Sequence, residues 1–127
     1  MPVSSLTDLD ALVARVKQAQ QVYAGFDQAQ VDKIFRAAAF AAAAARIPLA
    51  RMANEETGMG VVEDKVVKNH FASEYIYNAY KDEKTCGIVA EDTVGGTVTI
   101  AEPIGIICGI VPTTNPTSTA IFKALIS

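Results

Sequence analysis

A short continuous apolar run lies at residues 103–112, between Pro103 and Pro112. It holds five large aliphatic side chains and two glycines. A short apolar run bounded by prolines predicts a strand that is buried on both faces, as in a parallel sheet. Burying such side chains contributes on the order of 10 kcal/mol in total. We therefore expect this strand to need neighbouring strands and covering helices.

A helix is predicted directly after this run. Asn115 is a preferred N-cap residue and Pro116 suits the first helical position. Free N–H groups and the helix dipole converge on an anion such as a pyrophosphate at such a strand-to-helix turn, which indicates one βα unit of a nucleotide-binding fold. The predicted helix reaches Ser127 without a C-cap signal and no second parallel strand follows, so we expect a sequence cut from a longer one.

In the part of the chain before this unit, apolar residues recur at helical spacing. This pattern predicts helices near residues 7–25, 27–48, 49–57 and 61–81. Thr7 and Asp27 are the expected N-caps, and Pro48 is expected to interrupt the second helix. The alanine-rich half of that helix is apolar almost all round, which predicts close packing between neighbours. The expected core positions of the fourth helix are Val62, Val66, Phe71, Tyr75, Ile76 and Tyr80.

Two β-rich runs, at residues 86–90 and 97–101, flank a loop and predict a β-hairpin. An isolated two-stranded ribbon is marginal in water, so we expect this one to pack on another surface, such as another subunit by edge pairing. The predicted class is α/β. Residues 1–84 form a helical part, residues 85–102 a hairpin arm, and residues 103–127 an incomplete first βα unit.

Composition narrows the possible functions. Half of the 127 residues are apolar and one fifth are charged, as in a globular protein. The net charge of −3 and scattered basic residues argue against a nucleic-acid partner. No secretory signal is recognisable, and the alanine-rich run at residues 37–45 is shorter than the roughly 20 residues that span a bilayer. We expect a cytoplasmic protein without a membrane partner.

Cys86, Cys108 and His70 do not form a metal-binding or disulfide pattern, so no metal site is predicted. We expect Cys108 to be a buried structural thiol in the strand and Cys86 to be more exposed. Cys86 has no histidine or aspartate neighbour in sequence that would activate it as a nucleophile. A catalytic role of His70 is disfavoured because it has no partner in sequence.

Residues 102–127 resemble the start of the NAD-binding domain in CoA-acylating acetaldehyde dehydrogenases, in particular the N-terminal half of the bacterial bifunctional aldehyde-alcohol dehydrogenases. The resemblance extends backwards over residues 30–39, 45–50, 62–66 and 68–87. It implies a Rossmann-like NAD-binding domain of the aldehyde dehydrogenase type, with the hairpin as an oligomerisation arm.

The resemblance also implies the reaction, in which acetyl-CoA and NADH give acetaldehyde, CoA and NAD⁺ through a thioester on a cysteine. The expected cofactor is NAD, with CoA as co-substrate. In bifunctional members an iron-dependent domain carries the product on to ethanol, and similar proteins assemble into homo-oligomers or filaments. The family's nucleophilic cysteine lies beyond Ser127, so we expect the chain alone to be inactive. Two alternatives stay open: a non-catalytic interaction module, and a fragment without a role of its own.

One segment matches a functional motif of that family. By resemblance, Asn115 donates its side-chain amide to the substrate oxygen, where one preorganised donor is worth roughly 10²–10³ in rate. From the residues alone, the favoured role of Asn115 is instead to cap the following helix. Thr113, Thr114 and Ser118 either contact the cofactor phosphate or only close the turn. The residues expected to line NAD are Ile110, Val111, Pro112, Thr113, Thr114 and Asn115.

Overall fold

The computed structural model describes residues 3–127. They fall into two compact units, one made of the described residues up to Gln28 with Lys84–Cys108 and the other of Ala29–Glu83 with Gly109–Ser127. The elements in chain order are α1 (Leu6–Tyr23), α2 (Gln28–Ala44), α3 (Arg46–Thr57), α4 (Val62–His70), a π-helical segment (Phe71–Tyr75), α5 (Ile76–Tyr80), β1 (Gly87–Asp92), β2 (Thr97–Ala101) and α6 (Pro116–Ile126).

In the first unit, α1 begins earlier than the sequence predicts. Ser5, not Thr7, is the N-cap, and its Oγ accepts the N–H of Asp8 at 3.1 Å. The Asp8 carboxylate in turn accepts from the hydroxyls of Ser5 and Ser4, each at 2.9 Å. These hydrogen bonds hold the pKa of Asp8 below its ordinary value. The reciprocal pair of Ser5 and Asp8 outcompetes a Thr7 cap because it satisfies donors at both positions.

The predicted hairpin is confirmed in the same unit. β1 and β2 pair antiparallel, with Gly87 opposite Ala101 and Asp92 opposite Thr97, and a bulge lies between Ile88 and Ala90. Asp92 Oδ1 accepts the N–H groups of Val94 at 3.0 Å and Gly95 at 2.9 Å. This Asx-type turn brings the strands back on each other within four residues.

The helices of the second unit follow the predicted order with shifted boundaries. Pro48 does not separate two helices; it lies in the first turn of α3, where a missing N–H is tolerated. The α3 helix ends at Gly58, which has a φ of 64° that favours glycine. The predicted fourth helix is continuous over α4, the π segment and α5, and Ile76 N–H bonds to Phe71 O across the widened turn.

The core of this unit is built from small side chains. The buried apolar residues are Ala39, Ala50, Ala53, Ala72 and Ile76. In the alanine-rich half of α2 only Ala39 is buried, so the prediction that this half packs closely between neighbours was wrong. Of the expected core residues in the fourth helix, Phe71, Tyr75 and Tyr80 are exposed. The buried face contains instead Lys65, Asn69 and Ser73, whose polar groups are all hydrogen-bonded. Lys65 and Asn69 bond to other segments, and Ser73 bonds to Asn69 O one turn earlier in its own helix.

Residues 103–112 form no strand in the structure, which corrects the sequence prediction. Ile104 and Ile110 are 86% and 81% exposed, and Cys108 is exposed rather than buried. The physical reason is that a parallel strand needs partners on its flanks, and the only sheet among residues 3–127 is the hairpin. Cys86 is half-buried, so the expected order of the two thiols is reversed.

Candidate functional site

The turn that leads into α6 occupies residues 113–115. As predicted, Asn115 is the N-cap position and Pro116 follows at the start of the helix. The side chain of Asn115 makes no capping hydrogen bond, however, so the capping role expected from the residues alone is not formed. The carboxamide is therefore available for another partner.

The Asn115 carboxamide is held in one orientation. Lys68 Nζ, from α4, donates to Asn115 Oδ1 at 2.9 Å. Asn115 Nδ2 donates to Thr114 Oγ1 at 3.3 Å. Because an ammonium group can only donate, the amide atom that faces Lys68 must be the oxygen. The two amide hydrogens consequently lie on the side away from Lys68.

A second lysine of α4 holds the backbone of the same turn. Lys65 is only 5% exposed, and its Nζ donates to the carbonyl oxygen of Thr114 at 3.1 Å. The stem of the side chain passes close to Gly60. A buried ammonium is costly unless it is hydrogen-bonded. Its presence indicates that the position of the Thr114 carbonyl is closely fixed.

Asn69 joins three elements at the start of α6. It is fully buried, its Nδ2 donates to Arg46 O at 3.0 Å, and its Oδ1 accepts from Thr117 Oγ1 at 2.8 Å. Ser73 Oγ donates to Asn69 O at 2.7 Å. We call Lys65, Lys68 and Asn69 the α4 polar triplet. Each member binds a different part of the segment 114–117.

Sequence reasoning missed the α4 polar triplet. Its members are spaced i, i+3 and i+4, so they share one face of a helix. That spacing was the available signal, but the neighbouring valines and aromatic residues suggested an apolar face instead. A further predicted residue, His70, lies on an exposed face, where its Nδ1 is 3.3 Å from the Glu74 carboxylate. Thr113 is exposed and Ser118 is half-buried.

The turn has the features of a binding edge. Ile110 and Val111 expose apolar surface next to the polar atoms of Thr113 and Thr114. The first N–H groups of α6 are not capped by the Asn115 side chain. The arrangement combines apolar contacts, helix N–H donors and one oriented carboxamide, which suits a flat ligand with anionic and carbonyl groups.

Two solved structures of aldehyde dehydrogenases have a fold similar to that of this chain. A probable aldehyde dehydrogenase from Listeria monocytogenes matches 96% of the chain with a TM-score of 0.93 and 45% sequence identity, and the match covers 27% of that chain. An acetylating aldehyde dehydrogenase from Geobacillus thermoglucosidasius matches 94% of the chain with a TM-score of 0.92 and 47% identity, covering 26% of that chain. The chain thus shares its α/β fold with about one quarter of each of these aldehyde dehydrogenase chains.

Several proteins of known function are also similar to this chain in sequence. Over all 127 residues the chain is 76% identical to the N-terminal part of the bifunctional aldehyde-alcohol dehydrogenase AdhE of Escherichia coli, and it spans 14% of that protein. It is 58% identical over 127 residues to the aldehyde-alcohol dehydrogenase of Clostridium acetobutylicum, spanning 15% of it. A sulfoacetaldehyde dehydrogenase (acylating) of Cupriavidus necator is 39% identical over 117 residues, or 91% of the chain and 24% of that protein. No protein-family model matches the chain.

These likenesses confirm the resemblance found in the sequence. The chain spans about one seventh of the length of the aldehyde-alcohol dehydrogenases that it matches.

Within residues 3–127, no helix combines the length and the apolar character needed to cross a membrane.

Proposed function

We propose that this chain is the N-terminal part of an NAD-dependent, CoA-acylating acetaldehyde dehydrogenase, and that Asn115 supplies a hydrogen bond to the substrate oxygen. In this reaction acetyl-CoA, NADH and a proton give acetaldehyde, CoA and NAD⁺. The observation that carries the proposed role is the orientation of Asn115. Its carboxamide is not used as a helix cap, and the bond from Lys68 to Oδ1 leaves Nδ2 on the side away from Lys68.

Residues of the turn fit part of a dinucleotide site. Ile110 to Asn115 would line NAD, since they offer exposed apolar side chains, two threonine hydroxyls and the N-terminus of α6. When bound, NAD supplies or accepts the hydride. The polar triplet keeps this edge in place, because Lys65 fixes the Thr114 carbonyl and Asn69 fixes Thr117.

Asn115 acts when a thiolate attacks the carbonyl carbon of the substrate and negative charge develops on the carbonyl oxygen. A donor oriented before the reaction stabilises that charge without reorganisation. The nucleophilic cysteine is expected outside residues 1–127, so the chain by itself is expected to be inactive. In a bifunctional parent enzyme, a separate iron-dependent domain would reduce the aldehyde to ethanol.

A hybrid enzyme tests this proposal. In it, residues 1–127 replace the corresponding segment of the Escherichia coli protein, to which they are 76% identical. Asn115→Ala is expected to lower kcat for acetaldehyde oxidation by roughly 10²–10³, the usual effect of removing one oxyanion donor. Asn78→Ala is the matched control, because Asn78 is an exposed asparagine whose Nδ2 donates to Glu74 O of its own helical stretch. A kcat of Asn115→Ala within twofold of the parent would refute the role.

We also propose that the hairpin mediates assembly into a homo-oligomer. Ile88 and Ile100 are directly opposite across the ladder, and both are exposed together with Val98. An exposed apolar face on a two-stranded ribbon favours burial against another chain. We also propose a cytoplasmic location, which does not depend on the role of the hairpin.

The oligomeric state of the hybrid enzyme tests the hairpin proposal. Replacing Ile88 and Ile100 together by lysine is expected to shift the mass measured by light scattering towards the monomer. Replacing the exposed Val94 at the hairpin tip by lysine is the control. An unchanged mass of the double variant would overturn this proposal and favour a role of the hairpin within one subunit.

A further inference from the structure

Lys68 differs from the other members of the α4 polar triplet in what it binds. Lys65 bonds to a backbone carbonyl, and Asn69 bonds to Arg46 O and the Thr117 hydroxyl. Lys68 is exposed, and its contact is with the side-chain oxygen of Asn115. It therefore acts on the orientation of that carboxamide, whereas the other two members fix the chain around it.

The second neighbour of the carboxamide cannot set its orientation. Thr114 Oγ1 lies 3.3 Å from Asn115 Nδ2, but a hydroxyl both donates and accepts. It would bond equally to the amide oxygen if the carboxamide turned over. Lys68 can only donate, so it alone distinguishes the two orientations. In the reversed orientation an oxygen would face the side on which Asn115 otherwise presents N–H groups.

Lys68 has an electronic effect in the same direction. Its hydrogen bond is charge-assisted, and such bonds are about twice as strong as neutral ones. Polarising the carbonyl end of an amide makes its N–H groups better donors, because hydrogen bonds in a chain strengthen one another. The ammonium group thus increases the donor strength on the side where negative charge would develop.

We propose that Lys68 is a positioning residue for acyl transfer, which acts through Asn115 by locking and polarising its carboxamide so that Nδ2 points to the reacting oxygen. This inference rests on the proposed function, in which Asn115 is the oxyanion donor. Lys68 itself touches neither substrate nor cofactor in this role. It belongs to the catalytic step through one hydrogen bond of 2.9 Å.

Substitutions of Lys68 in the hybrid enzyme test the inference by their rank order. Lys68→Met is expected to lower kcat about tenfold and to leave KM for acetaldehyde and CoA within twofold, a smaller loss than removing the donor outright. Lys68→Arg retains a donor-only cation and should restore most of kcat. Lys68→Glu should be worse than Lys68→Met, because its carboxylate accepts from Nδ2 and reverses the amide. Lys81→Met, at an exposed lysine after α5, is the control and should match the parent.

A double-mutant cycle identifies the path of the effect. If Lys68 acts through Asn115, adding Lys68→Met to Asn115→Ala should produce no further loss of kcat. An equal loss in both backgrounds would overturn the inference. So would equal activities of the arginine, methionine and glutamate variants, since a merely structural role would not follow their hydrogen-bonding character.

The two proposals fail in different ways. If Asn115→Ala is as active as the parent, the oxyanion role fails and the role of Lys68 fails with it. If Asn115→Ala is inactive but Lys68→Met matches the parent, only the role of Lys68 is overturned. Thermal unfolding of each variant separates loss of catalysis from loss of folding, and Lys68→Arg provides a test even if Lys68→Met is unstable.

Discussion

Two carboxamides hold connecting segments in the two units, and they differ in burial. In the second unit Asn69 is fully buried and binds Arg46 O and Thr117 Oγ1. In the first unit Gln28 is half-buried. Its Oε1 accepts the N–H groups of Thr85 at 2.8 Å and Cys86 at 3.0 Å, and its Nε2 donates to Thr85 Oγ1 at 3.2 Å.

The number of hydrogen bonds does not decide which carboxamide matters more. Water can replace the partners of Gln28 when its side chain is removed, whereas it cannot readily reach those of Asn69. A polar group left unsatisfied in the interior costs about 1–3 kcal/mol, and a bond that water can replace costs about 0.5–1.5 kcal/mol. The buried amide is therefore expected to fix its segment more firmly, and that segment carries Asn115.

The largest effect is expected for Asn69→Ala. It leaves Arg46 O and the Thr117 hydroxyl without their buried partner, so the free energy of local opening at α6 should fall by about 3 kcal/mol. Hydrogen exchange of the α6 amides in the hybrid enzyme measures this opening. Asn78→Ala is again the control. Unchanged exchange at α6 would show that Asn69 does not hold the start of that helix.

A smaller effect is expected for Gln28→Ala. Removing the carboxamide exposes the N–H groups of Thr85 and Cys86 to water, so we expect their opening free energy to fall by about 1 kcal/mol. Their hydrogen exchange reports the change directly, with the exposed Gln18 of α1 replaced by alanine as the control. If Gln28→Ala proved as damaging as Asn69→Ala, burial would not be what separates the two carboxamides.

The smallest effect concerns Tyr23, in the same unit as Gln28. Burial, and in second place the charge of Cys86, raise the pKa of Tyr23 above its ordinary value of 10.0. A raised folded-state pKa means that the contribution to stability is complete below pH 10 and is lost as the pH rises through the folded-state value. Above pH 10 the thermal midpoint of the parent should therefore fall relative to that of Tyr23→Phe. A constant difference up to pH 11.5 would contradict the shift.

Local patterns were sufficient to predict much of the fold. The hairpin was predicted correctly because the two strands adjoin in sequence and the turn residues between them act locally. The apolar run at residues 103–112 was not, because a parallel strand depends on partners that are distant in sequence. The helices were predictable for the same local reason. Their exact boundaries were not, because Ser5 and Thr7 are both suitable N-caps for α1, and Pro48 is compatible with either the end of one helix or the first turn of the next.

The candidate site was predictable only in part. The turn residues and Asn115 could be named from the sequence and its resemblance to a family, but their roles remain proposals. The spacing of Lys65 and Asn69 places them on one helix face, but the sequence does not show that Lys65 bonds to the carbonyl of Thr114, 49 positions away. Polar residues are usually exposed, so a pattern that assigns apolar residues to the core overlooks a buried polar face.

The π-helical segment Phe71–Tyr75 bears on how chains of this kind can differ in length. Its i to i−5 hydrogen bond, from Ile76 to Phe71, encloses one residue more than an α-turn does. Loss of a single residue there can close the turn to an ordinary one without breaking the hydrogen-bond ladder on either side. An alignment gap of one position between Phe71 and Tyr75 would accordingly mark a change of helix type and not the loss of the helix on which α6 rests.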